Sequence, residues 1–388
     1  MNITLKRTDE QVELVKAMAS KNRDVAYEAQ MALADFIGPV LCEVINQAPT
    51  PSNLFKSFSF NSFDSPSIPL DLYYDITAPD YVKVYSTSVP GGLPTNTVTP
   101  TTAEMKFTTY RLDSAVDFEK RYAAKSRMDV ISKSFTRIAQ EIMLRMETTS
   151  GNLIMGTLAE AETNGISHVI SADEGTVTEG KQLHLEDFNR LLTNAKRINT
   201  AWTGGSTEGR IKGITDLIMS PEMVHGLRQY AYNPIHAGNS DYPVTDEMRT
   251  SIYNNAGIPE FFGISIMETL ELGPGSGAGS REKFTQLYLD LKDPSGSASG
   301  TGGLGQTGPS GTTADHAGKV ADIAIGLDRT RDSLFRAVAL DAENGTEMTL
   351  LADDQYSIRQ QKIGYYGALE EGRMILDNRV LSGITVRG

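Results

Sequence analysis

The chain has one cysteine, Cys42, in 388 residues. A lone thiol excludes an intrachain disulfide and a thiolate-held metal cluster, and it fits a reducing compartment. Cys42 is read as a small buried hydrophobe. Cations are also in deficit: Lys+Arg 36 against Asp+Glu 49 leaves a formal charge of -13. Duplex or membrane phosphate would meet net repulsion, which argues against sequence-specific DNA recognition. No run of eighteen residues is apolar and uncharged, and Met1 to Glu10 is charged without the apolar core of a signal peptide. Neither a membrane span nor export is expected. Histidine is scarce at 5 residues (His168, His184, His225, His236, His316), and none forms a zinc-protease helix signature.

What is present is 39% hydrophobic content over a length that favours two or three structural units. Residues Glu10 to Val44 place Val12, Val15, Met18, Val25, Met31, Leu33 and Ile37 at mostly helical spacing, with a break expected at Gly38-Pro39. This reads as an N-terminal helical arm. Between Asn53 and Pro69 stand Phe55, Phe58, Phe60 and Phe63 among Ser, Asn and Pro, a composition that predicts an extended segment anchored by its rings on another surface. Two strand-like runs, Tyr81 to Tyr85 and Met105 to Leu112, flank Val89-Pro90-Gly91-Gly92-Leu93-Pro94 and predict a long projecting hairpin whose tip has nothing to pack a core.

The strongest helical signal runs from Arg127 to Ala159, with Ile131, Phe135, Ile138, Ile142 and Met146 on one stripe. At about 1.5 Å per residue such a helix reaches roughly 50 Å. Ser126, three residues before Asp129, is the expected cap, and Thr148-Thr149-Ser150-Gly151 is the expected point of bending or interruption. Beyond Asn164-Gly165 the pattern is mixed: a helix over Leu185 to Ile198, a strand over Asp216 to Met219, then a helix opened by Ser220-Pro221. Apolar strands are expected at Phe261 to Met267, Phe284 to Leu291 and Val320 to Leu327, and Asp293 to Gly318 reads as a Gly/Ser-rich surface insertion.

The motifs that carry chemistry are weak. Gly300-Thr301-Gly302-Gly303-Leu304-Gly305 has the spelling of a dinucleotide-binding turn, but Gln306-Thr307-Gly308-Pro309 cannot open the helix such a turn needs. Gly175 to Lys181 comes within one residue of a phosphate loop, yet Gln182 stands where a magnesium-binding hydroxyl belongs, and Asp173, Glu174 and Glu179 oppose phosphate. Glu222 and His225 have a di-metal spacing without the second pair that such sites require. The acidic neighbours Asp173-Glu174, Asp353-Asp354 and Glu370-Glu371 read as solvated faces. No catalytic, cofactor-binding or metal-ligating residue is assigned, and an enzyme is not expected.

The order of parts is more specific. An N-terminal arm, a projecting hairpin, a very long helix, a mixed α/β unit and a strand-rich return, with Glu347 to Gly367 and Ala321 to Arg329 as characteristic stretches, resemble the tailed-bacteriophage major capsid protein family, whose fold is shared with the herpesvirus shell floor and encapsulins. The resemblance implies an α+β fold with an N-terminal arm (1–70), an E-loop hairpin (71–113), a peripheral domain with the spine helix (114–162), an axial domain (163–345) carrying the insertion 293–318, peripheral-domain strands (346–377) and a C-terminal axial-domain strand (378–388). It also implies self-assembly into pentamers and hexamers of an icosahedral virion shell in the host bacterial cytoplasm. The shell would meet scaffold, portal and cement or decoration proteins, and would hold double-stranded DNA without sequence specificity. The expected inter-subunit contacts are Phe55, Phe58, Phe60, Phe63, Tyr81, Tyr85, Pro90, Gly91, Gly92 and Leu93. Two alternatives stay open: an encapsulin-type compartment shell and a soluble α/β enzyme.

Overall fold

The computed structural model describes residues 8–48, 50–61, 64–69, 104–163, 166–172, 185–200, 213–232, 260–261, 263–274, 281–292, 305–307, 313–315, 320–330, 333–340, 345–353 and 361–387. In chain order the helices are α1 (Asp9–Met18), α2 (Arg23–Asn46), α3 (Lys120–Ala124), α4 (Met128–Glu160), α5 (Leu185–Thr200), α6 (Pro221–Tyr232) and α7 (Lys283–Lys292). The strands are β1 (Lys56–Asn61), β2 (Ser67–Pro69), β3 (Glu104–Lys106), β4 (Thr109–Glu119), β5 (Glu162–Thr163), β6 (Ile166–Ser167), β7 (Val169–Ser171), β8 (Asp216–Met219), β9 (Glu260–Phe261) and β10 (Ile264–Glu268). They continue as β11 (Gly305–Thr307), β12 (Thr313–Asp315), β13 (Val320–Leu327), β14 (Leu334–Leu340), β15 (Met348–Asp353), β16 (Lys362–Ile375) and β17 (Leu381–Arg387). The fold class is α+β. The chain divides into two units: 1–68, 106–150 and 334–374 form the first, and 69–105, 151–333 and 375–388 form the second.

The first unit is organised by β16. Its residues Lys362–Gly372 pair antiparallel with β4, and Gly364–Leu369 pair antiparallel with β15. The sheet continues through β14 to β1, which runs parallel to β14 from Lys56↔Phe335 to Asn61↔Leu340. The α4 stripe Ile131, Phe135, Ile138, Ile142 and Met146 is buried in one cluster with Leu33, Ile37, Leu41 and Ile45 of α2 and Tyr365 of β16. The Phe135 and Tyr365 rings meet edge-to-face at 5.0 Å. Burial of such side chains contributes about 1.5–3 kcal/mol each, so this cluster dominates the unit's stability.

In the second unit a six-stranded sheet runs in the order β7-β17-β13-β8-β10-β9. β13 lies antiparallel to both β17 and β8, while β8 and β10 are parallel. Phe188, Leu191 and Ala195 of α5 and Met223, Val224 and Leu227 of α6 are buried in one cluster with Leu217, Ala324 and Ile384 of the sheet. α6 opens as its sequence predicts, the Ser220 hydroxyl accepting the Met223 N–H at 3.1 Å.

Several expectations are corrected. The arm does not break at Gly38-Pro39: α2 runs through both, and the interruption falls between Met18 and Arg23, where Asn22 caps α2. Pro39 cannot bond the Asp35 carbonyl, but both residues lie on the exposed side of the helix, open to solvent. The arm packs on its own unit, since Val15, Met18, Leu33, Ile37 and Leu41 belong to the first unit's core. Phe284 to Leu291 is not a strand but most of α7: Phe284, Thr285, Tyr288 and Leu289 are buried while Lys283, Gln286 and Asp290 are exposed, a helical periodicity. Met105 to Leu112 is split between β3 and β4 by Phe107 and Thr108. Phe261 to Met267 turns at Gly263 (φ 73), which folds β9 back on β10.

Ser126 is not the cap of α4. It takes a left-handed φ of 51, and its buried hydroxyl has no hydrogen-bond partner. Nor does Thr148 to Gly151 interrupt α4. The three hydroxyls bond back to the carbonyls of Leu144, Arg145 and Glu147, so they stay satisfied within the helix. Gly151 is used for packing instead: a Cβ there would lie 2.1 Å from Phe284 Cζ.

Candidate functional site

Two features of the first unit invite a functional reading. The first is an exposed flank of α2. Val25, Phe36 and Val40 are 43%, 55% and 40% exposed and fall within about 60° of one another around the helix axis. A surface helix normally turns polar residues outward, opposite its core stripe. Here Leu33, Ile37 and Leu41 serve the core, and Val25, Phe36 and Val40 extend that apolar stripe along one exposed flank, while Glu28, Asp35 and Asn46 take the side opposite the core.

The second is a buried charge cluster. Glu371, on β16, is fully buried; its Oε2 accepts from Arg336 Nε at 2.7 Å and from Arg373 Nη2 at 3.1 Å. Its Oε1 accepts from Arg373 Nε at 3.1 Å and from the Tyr110 hydroxyl at 2.5 Å. Arg336 Nη1 reaches Asn46 Oδ1 at 3.2 Å and Glu347 at 3.8 Å, while Arg373 Nη1 donates to the Ser52 carbonyl at 2.9 Å. Arg336 Nη2 is buried without a hydrogen-bond partner. Burial alone would raise the Glu371 pKa, but Arg373, Arg336 and the Tyr110 hydrogen bond together hold it below the usual glutamate value. Tyr110 is pushed up to about 12, first by burial and then by Glu371. An ionised carboxylate bonded by two guanidinium groups and a phenol that keeps its proton offers no general acid or base. The cluster ties α2, the lead-in to β1, β4, β14 and β16 together.

Beside Tyr110 lies a groove of about 550 Å³, lined by Tyr110–Ser114 of β4 and by Glu141, Ile142, Arg145 and Thr149 of α4. Its charges are mixed: Arg111 pairs with Asp113 at 2.8 Å, and Asp113 also accepts from Tyr366 at 2.5 Å. Among the described residues no group of three or more His, Cys, Asp and Glu is placed to hold a metal. Cys42 is half-buried, and burial, then the neighbouring Glu347, raises its thiol pKa, which keeps it a poor nucleophile.

The structure places the expected contact residues unevenly. Phe55 is 5% exposed, with Arg373 over its ring at 5.3 Å, so its own chain already covers it. Phe58 is half-buried, edge-to-face with Phe107 at 5.1 Å and Phe335 at 6.4 Å. Phe60 is half-buried on the same strand, and β1 ends its sheet, so the Phe-rich segment is an edge strand of its own unit rather than a strap on another surface. Phe63, Tyr81, Tyr85, Pro90, Gly91, Gly92 and Leu93 lie outside the described residues, as does Gly175 to Lys181.

The charge cluster was missed. Glu370-Glu371 reads as a solvated pair, yet Glu371 is interior; the available signal was Arg336, a lone charge in the otherwise apolar run Leu334–Leu340. A buried charge requires a partner, so that arginine implied an interior carboxylate.

No protein-family model and no curated protein sequence matches the chain. Among solved structures it aligns with the capsid of a native GTA particle at 10% identity, covering 88% of this chain and 90% of that one, with a TM-score of 0.47. It aligns with the capsid of the cyanophage P-SCSP1u at 12% identity over 86% of both chains (TM-score 0.44). It also aligns with the SrpI encapsulin of Synechococcus elongatus PCC 7942 at 10% identity, covering 87% of this chain and 88% of that one (TM-score 0.40). No residue role is transferred from them. Among the described residues no helix is long and apolar enough to cross a membrane.

Proposed function

We propose that this chain is the major shell subunit of a tailed-phage capsid, assembling with copies of itself as pentamers and hexamers into an icosahedral shell around double-stranded DNA. The observation that carries the reading is the element order. The uninterrupted 33-residue α4 is followed by a six-stranded mixed unit, and the chain then returns at Leu334 to complete the sheet that β1 and β4 belong to. In this reading the first unit is the peripheral domain and the second the axial domain. The exposed apolar flank of α2, Val25, Phe36 and Val40, supplies contact area that water should not be left to cover. A formal charge of -13 suits a container whose wall must not adhere to the nucleic acid moving past it.

Electron microscopy of the purified protein tests the proposal, with closed shells the expected result. A species that stays monomeric at high concentration would overturn it, and shells filled with a protein cargo instead of DNA in the native source would favour the encapsulin-type alternative.

A further inference from the structure

β13 carries a buried acid near its start. Asp322 is 4% exposed, its Oδ1 accepts the Ile323 N–H at 2.7 Å, and its Oδ2 accepts from the Ser220 hydroxyl. Ser220 is itself fully buried, and the same hydroxyl accepts the Met223 N–H, so one oxygen joins the start of α6 to the middle of the sheet.

The surroundings supply no compensating cation among the described residues. On α6 the charged group that acts on Asp322 is Glu222, of the same sign and exposed. On β17 the residue opposite Asp322 is Val386. α7 buries Phe284, Thr285 and Tyr288 and leaves Lys283 and Asp290 exposed. The loop after β10 adds Glu271, whose Oε2 is buried without a hydrogen-bond partner. The described cation on α6 that is partly buried, Arg228, pairs with Glu268 of β10 at 3.5 Å rather than with Asp322.

We propose that the α6–β13 junction is a pH-operated latch, closed while the Asp322 carboxyl holds its proton and loosened when it is ionised. In the protonated form the Asp322–Ser220 link is neutral and the helix cap is intact. Ionisation leaves a negative charge in an apolar interior beside Glu222. Two hydrogen bonds oppose that cost but do not cancel it: burial first, and Glu222 after it, push the carboxyl up to about 7. Both states therefore exist near neutrality. Because the closed-state pKa is raised above 3.8, the closed form binds the extra proton between that value and about 7. Its advantage falls as pH rises through this window and is smallest above it.

Hydrogen exchange of the α6 backbone amides from Met223 to Leu227, corrected for intrinsic rates, tests the latch in the full-length protein. The opening constant should rise roughly tenfold from pH 5 to pH 6 and level off above pH 7. Asp322→Asn should abolish that rise, and Glu222→Gln should move its midpoint to lower pH. Equal protection at pH 5 and pH 8 in the unmodified protein, or a rise that survives in the Asn variant, would overturn the proposal. If the Asn variant does not fold, carboxyl NMR titration of Asp322 decides: a midpoint near 4 sinks it, and one near 7 sustains it.

Discussion

Substituting Gly151 by alanine sets two effects against each other inside one helix. Alanine in the interior of α4 should gain up to about 1 kcal/mol of helix propensity. Against this, a Cβ at 151 would lie 2.1, 2.4 and 2.6 Å from the Cζ, Cε1 and Cε2 atoms of Phe284, which is 2% exposed. Three ring atoms must retreat by about an ångström into a close-packed interior, and overpacking of this kind costs about 1–3 kcal/mol, more when the neighbour cannot turn. The contact is deep enough for the upper end to apply. The net loss should be about 2 kcal/mol, close to a thirtyfold change in the folded-to-unfolded ratio. Equilibrium denaturation of Gly151→Ala, Phe284→Leu and the double variant measures it. The double variant should lose about 1–2 kcal/mol less than the sum of the single losses, because the shorter side chain vacates the contested volume. A Gly151→Ala protein as stable as the parent, or more stable, would refute the packing argument and leave Gly151 as ordinary helix filler.

Glu371→Gln should cost about 3–5 kcal/mol, since it leaves two buried guanidinium groups beside a neutral amide; urea denaturation reads the loss. The Glu371 pKa is depressed in the folded state, so its stabilisation is complete above the ordinary value of 4.5 and is lost as pH falls through the lowered one. The Gln variant should therefore show a shallower loss of stability in acid. Phe36→Asp should leave thermal stability within about 0.5 kcal/mol, because the ring is 55% exposed, while lowering the yield of particles counted by electron microscopy. Deleting Pro90 to Asn96 should leave a folded subunit that forms no normal shells, and normal particles from that deletion would contradict the role given to the hairpin.

Periodicity made α4, β8 and β13 legible in the sequence, whereas α6 was announced by Ser220-Pro221 and the β15–β16 pair by the family resemblance of Glu347 to Gly367. Periodicity failed for α7, where Phe284 and Tyr288 stand four apart, a helical interval, while Leu287, Leu289 and Leu291 alternate as in a strand. It failed again at Gly38-Pro39, where local breaker chemistry was overridden by the packing of α2's buried side. For the Phe-rich segment the extended form was legible and its partner strand was not. β1 pairs with β14, and no local feature near Phe58 announces a partner so far along the chain. The charge cluster was hidden likewise, since Arg336, Glu371 and Tyr110 converge only after the sheet has formed.

The pairing of Lys56 with Phe335 also sets a timetable for synthesis. At about 5–20 residues per second, β1 leaves the ribosome roughly 15–60 s before β14 can follow. Throughout that interval α1 and α2 have neither β15 nor β16 to lie against, and their oily sides stand open to any other nascent chain. A polypeptide built this way must be shielded while it grows, and it should depend on chaperones in proportion to its rate of production. The delay has a useful side. No copy can complete its first sheet before almost its whole length has been made, so truncated products would lack the closed sheet that the proposed assembly starts from.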